Sequence, residues 1–151
     1  MTKPKSAVID ILRPDGSTSP AVVEWWTEYT ESERIRHVDI LFQGGSYRGS
    51  AGDYFGALME ARPPLEHAGY RLLCYGASRN VWASGMARCM AQGLLAVLHG
   101  RPFADGPVHI FETGPEVVPA TVDEQMDFLG EWLDENAEIQ EARDRERGTF
   151  H

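Results

Sequence analysis

Apolar residues gather in short β-branched runs over the first third of the chain. Ala7 to Leu12 (Ala-Val-Ile-Asp-Ile-Leu) predicts a strand that stops at the turn signal Pro14-Asp15-Gly16-Ser17. Ala21 to Thr30, with Val22, Val23, Trp25, Trp26 and Tyr29, predicts a second strand, although its aromatics could also line a helix face. Val38 to Phe42 predicts a third, which would complete an antiparallel meander. Gln43 to Gly49 is glycine-rich and reads as a loop. Ser50-x-x-Asp53 resembles a capping box ahead of Tyr54, Phe55, Leu58 and Met59, so a helix should open there. Pro63-Pro64 must break or kink it, because proline lacks the amide donor and clashes with the preceding turn.

Further on, Tyr70 to Tyr75 predicts a short strand bounded by Gly69 and Gly76. The polar loop Gly76 to Gly85 leads into a helix expected over Met86 to His99, where Met86, Met90, Leu94 and Val97 recur at three and four. Val108 to Phe111 predicts a last strand. Thr121-x-x-Glu124 is a second capping box, and the helix behind it should run to about Glu146. On that helix Val122, Met126, Phe128, Leu129, Trp132, Leu133 and Ile139 share a half-circle, with a stripe of acids opposite. The order β-β-β-α-β-α-β-α predicts an α+β fold: an N-terminal antiparallel meander, a mixed sheet with right-handed crossovers, and a long acidic C-terminal helix. One domain over residues 1–151 is expected, with residues 1–6 and 147–151 as flexible ends.

Charge sharpens this picture. Pro102 to Ala142 holds eleven acids and not one Lys or Arg, whereas the rest of the chain has 12 acids against 14 bases. The net charge of −9 is therefore concentrated in the C-terminal third. Such a field repels nucleic acid and anionic membrane and attracts a basic protein. Exposed helix faces are commonly charged, but they usually intersperse both signs. The absence of bases thus marks Asp127, Glu131, Asp134, Glu135 and Glu138 as candidate partner contacts. Tyr47, Arg48, Arg79 and Trp82, in the two glycine-bearing loops, are candidate anchors beside them. Cys74 and Cys89 lie in apolar segments without a signal-type N-terminus, and read as buried free thiols of a cytoplasmic protein.

Chemical motifs are sparse. Gly44 and Gly49 have P-loop spacing, but Ser50 stands where the lysine belongs, so a flexible turn is the simpler reading. In the second loop, Cys74 and Ser78 could serve as nucleophiles with Arg79 and Asn80 lining a pocket, the basis of an alternative reading as a small enzyme. Gly76-x-Ser78-x-Asn80 is not a nucleophile elbow, and Ser84 and Trp82 serve more simply as helix cap and core anchor. His37, His67, His99, His109 and His151 lack ligand spacing, so neither a metal nor another cofactor is expected.

The block Gly76-Ala77-Ser78-Arg79-Asn80-Val81-Trp82-Ala83-Ser84-Gly85-Met86-Ala87-Arg88, with Ile110-Phe111-Glu112 and Thr121-Val122-Asp123-Glu124-Gln125, resembles a set of small uncharacterised bacterial α/β proteins. The likeness runs from Tyr70 to Trp132 and carries over no catalytic residue. In size and acidity the chain also resembles the immunity proteins of antibacterial toxin systems. That second resemblance implies an inhibitor of a basic toxin enzyme, a nuclease or one that modifies nucleic acid or nucleotides, occluded by the acidic face.

Overall fold

The computed structural model describes residues 1–148. Four long strands open the chain: β1 (Lys5–Leu12), β2 (Thr18–Tyr29), β3 (Arg34–Phe42) and β4 (Gly45–Ala51). Helices α1 (Tyr54–Ala61) and α2 (Pro63–His67) follow, then β5 (Arg71–Leu72), β6 (Val81–Trp82), α3 (Gly85–Met90), β7 (Leu95–Leu98), β8 (Val108–His109) and α4 (Val122–Gly148). The strands form a five-stranded sheet, β4-β3-β2-β1-β5, and a three-stranded one, β6-β7-β8. Every pairing in both is antiparallel. The α+β class and the N-terminal meander are as expected, whereas among the described residues every strand pairing is antiparallel, so the expected mixed sheet with right-handed crossovers is not found.

The turn chemistry explains the meander. At the β1–β2 corner the Asp15 side chain accepts from the Ser17 amide at 2.9 Å and from its hydroxyl at 2.6 Å. Those bonds stabilise the ionised carboxyl and lower its pKa. β3 and β4 are joined by Gln43 and Gly44, both with positive φ (51° and 76°), the geometry a two-residue hairpin needs to match strand twist. The glycine-rich stretch read as a loop is therefore mostly strand. Ser50 lies inside β4 and caps nothing; Asp53 is the N-cap of α1 and accepts from the Gly56 amide at 2.8 Å. The N-terminal end, expected to be loose, is tied down at Thr2, whose amide donates to the Thr27 carbonyl at 2.8 Å and whose hydroxyl accepts from the Thr27 amide at 2.8 Å. Residues 149–151 of the other expected loose end lie outside the described residues.

One face of the meander is buried. Ile9, Ile11, Val23, Val38 and Ile40 share one buried cluster with Phe55, Ala57 and Leu58 of α1, and Trp25 stacks on Phe111 at 4.2 Å. Removing such apolar side chains from water is the main favourable contribution to this packing. As expected, the proline pair ends α1, and Pro63 begins α2 directly after it. Two other expectations fail. The strand foreseen over Tyr70 to Tyr75 reduces to Arg71–Leu72 and passes into a 3-10 turn at Tyr75–Ala77. The helix foreseen over Met86 to His99 stops at Met90, because Gln92 and Gly93 both take positive φ (58° and 76°), and the chain re-emerges as β7.

Candidate functional site

The capping box of α4 forms as its residues dictate: the Glu124 amide donates to Thr121 Oγ1, and the Thr121 amide to Glu124 Oε1, both at 3.1 Å. The bond from the Thr121 backbone is the chief reason the Glu124 carboxyl sits below its ordinary pKa. Beneath this first turn is a buried polar knot. Arg62 Nε donates to Glu66 Oε2 at 2.7 Å, and its Nη1 donates to Gln125 Oε1 at 2.6 Å. Gln125 Nε2 lies 3.0 Å from the Ser78 carbonyl oxygen and 2.9 Å from that of Val81, while Glu66 Oε1 accepts from the Val122 amide at 2.8 Å. An arginine and a glutamate removed from water are tolerable only when paired and fully bonded, and this pair is. The knot fixes α4 to the loop that precedes α3.

The next two turns rest on the body more lightly. Phe128, Leu129 and Trp132 are half-buried, and His99 meets Phe128 and Trp132 edge-on at 5.2 and 4.9 Å. Beyond Trp132 the helix leaves the body: every residue from Leu133 to Glu146 is exposed. Met126, Leu133 and Ile139, expected on a packed face, are therefore open to solvent (50%, 57% and 46% exposed). The half-circle of apolar residues exists on the helix, but the body is too short to cover it.

The acids divide accordingly. Glu131 lies 3.9 Å from Arg79, and Glu135 lies 3.8 Å from His99. Both are loose, exposed contacts of the kind worth little. Asp127, Asp134 and Glu138 make no ion pair among the described residues. Among the described residues the stripe therefore meets side-chain partners at its base, Glu131 at Arg79 and Glu135 at His99, whereas Asp127, Asp134 and Glu138 meet none.

The proposed anchors scatter. Arg79 joins the acidic helix, with its guanidinium 5.0 Å from the Phe128 ring centre. Trp82 turns inward and meets Phe55 edge-on at 5.1 Å. Tyr47 is half-buried against the core, whereas Arg48 emerges on the opposite side of the sheet, bonded to Asp39 at 3.1 Å and 4.9 Å from the Trp26 ring centre. Adjacent residues of a strand point to opposite faces, so Tyr47 and Arg48 cannot serve one surface.

The second loop does not assemble the nucleophilic pocket considered for it. Cys74 is wholly buried, and desolvation pushes its thiol up to about 11 despite the Arg62 charge nearby. Ser78 is also wholly buried; its hydroxyl donates to Asn80 Oδ1 and accepts from the Val118 amide at 2.9 Å. Ser84 caps α3, as its position suggested, by accepting from the Ala87 amide at 3.2 Å. Cys89, read as buried, is exposed because α3 is a surface turn with no buried residue. Burial also lowers the pKa of His109, which faces Trp25 and Phe111.

Among the described residues no three His, Cys, Asp or Glu side chains converge to hold a metal ion, and no helix is long and apolar enough to cross a membrane. No family profile matches the chain, and no curated protein matches it. Sequence reasoning missed the Arg62–Glu66–Gln125 knot, since neither a buried arginine nor its partner 63 positions away leaves a periodic signal. It likewise missed His99 as the seat of α4.

Proposed function

We propose that this is an acidic binding protein of the immunity type, which inhibits a basic bacterial toxin enzyme acting on nucleic acid or nucleotides. The carrying observation is the outer part of α4, which stands away from the body with Asp134 and Glu138 unpaired among the described residues on one face and Leu133 and Ile139 exposed on the other. At about 1.5 Å per residue, the exposed stretch from Leu133 to Glu146 projects about 20 Å, enough to reach into a substrate cleft. Its carboxylates would pair with the Lys and Arg that normally hold phosphate, speeding encounter and blocking entry. The apolar side chains would supply central contacts that exclude water. Arg79 then serves α4 by steadying Glu131 and Phe128, and does not itself contact the partner.

The full chain and its Asp134→Lys, Glu138→Lys variant, used as paired baits in lysate of the native host, test the reading. A basic enzyme held by the first and released by the second is expected. Its purified form should be inhibited by the wild-type chain, with affinity falling at least tenfold in the variant and steeply with salt. An affinity unchanged by the double reversal would overturn the electrostatic mechanism.

A further inference from the structure

The solvent-facing side of the five-stranded sheet carries a hydrogen-bonded line of side chains across three strands. Ser50 Oγ on β4 lies 2.6 Å from Nδ1 of His37 on β3, and His37 Nε2 lies 2.9 Å from Glu28 Oε1 on β2. The register makes this line: His37 is opposite Ser50 on one side and Trp26 on the other, and Glu28 follows Trp26 by two on the same face. An ionised carboxylate can only accept, so Glu28 places the imidazole proton on Nε2. In the neutral ring Nδ1 is then an acceptor, and the Ser50 hydroxyl must donate to it. That is the polarity a base needs to take a proton from serine, with a third group holding the base in orientation.

Exposure follows the same division of roles. The His37 side chain is only 15% exposed, and its ring stacks on Trp26 at 5.2 Å. Ser50 is exposed and forms part of the wall of an open hollow of about 540 Å³ with Glu33, Arg34, Ile35 and Ala51, so the wall carries one charge of each sign. The nucleophile faces a space that can hold a small molecule, and the base stands behind it. Glu24, Glu28, Arg48 and Met1, which carries the amino terminus, line a second hollow on the ring's other side.

We propose that Ser50, His37 and Glu28 form a nucleophilic relay that hydrolyses small carboxylic esters seated in the Ser50 hollow. Ser50 Oγ bonds to the ester carbonyl carbon as its proton passes to His37 Nδ1. The C–O bond to the leaving group then breaks, and the departing alkoxide takes the proton from Nδ1 to leave as the alcohol. Water, deprotonated by the same nitrogen, attacks the acyl-serine and releases the carboxylic acid, returning the proton to Ser50. Glu28 is a positioning residue throughout. This activity is independent of α4.

The full-length protein, treated with a fluorophosphonate probe and separately with p-nitrophenyl acetate, provides the test. A single phosphonyl adduct on Ser50 in peptide mass spectra is expected, together with p-nitrophenolate release that falls at least tenfold in Ser50→Ala and in His37→Gln. Glu28→Gln should move the acid limb of the labelling rate to lower pH, and Glu28→Asp should restore it; a merely structural contact would leave that profile unmoved. Ser46, on the same strand and face but bonded to Asp39, is the internal control. An adduct on Ser46, labelling spread over several serines, or ester hydrolysis unchanged in Ser50→Ala would overturn the relay.

Discussion

Gly49 has no room for a side chain: a Cβ there would overlap the Ala57 carbonyl oxygen and the Ala61 amide nitrogen of α1. These are backbone atoms of a packed helix and cannot rotate aside. Gly49→Ala should therefore cost about 3 kcal/mol or more, read as a lower denaturation midpoint at unchanged m-value. The two thiols form a second contrast. Iodoacetamide at pH 8 should modify Cys89 in the folded protein and reach Cys74 only after unfolding, because Cys74 is buried and protonated to about 11. The same shift sets a stability slope. Between the unfolded thiol value of 9.0 and the folded value of about 11 the unfolded chain binds fewer protons, so stability falls as pH rises through that window. Cys74→Ala should flatten this slope in denaturation curves taken from pH 8 to 11.

Among the elements, α4 is held at one end only. Its first turn is locked by Arg62, Glu66 and Gln125, while Leu133 to Glu146 touch solvent. Its intrinsic helicity therefore matters more than that of a packed helix. Gly130 lies in its interior, and a Cβ added there would meet nothing within 4 Å, so Gly130→Ala should stabilise the protein by roughly 0.5–1 kcal/mol in thermal melts. The elements legible in the sequence were those set by local rules: β1 with its Asp15-Gly16 corner, the proline-broken α1, and α4 with its capping box. The hairpin at Gln43-Gly44 was masked by further glycines at 45 and 49, which serve close packing rather than looseness. Leu94 and Val97 fit a helical period, yet two positive φ values at Gln92 and Gly93 put them beyond the end of α3. Gly93 is required there because a side chain would strike Asp53 and the Phe55 amide, a contact between distant segments that no local pattern encodes.

For the molecule as a whole, the order and type of neighbouring residues were enough to dictate the α+β class, the N-terminal meander and the concentration of negative charge in the last third. What that charge faces was settled by the folded chain alone. Arg79 and His99 lie 52 and 36 positions from the acids they approach, Glu131 and Glu135, and the distance along α4 at which the body ends sets where Asp134 and Glu138 become free. Cross-strand register likewise brought Glu28, His37 and Ser50 into line, although the three share no spacing that a reading along the chain would notice. Periodicity is written locally. Registry between strands and the reach of one element past another are fixed only when the whole chain packs.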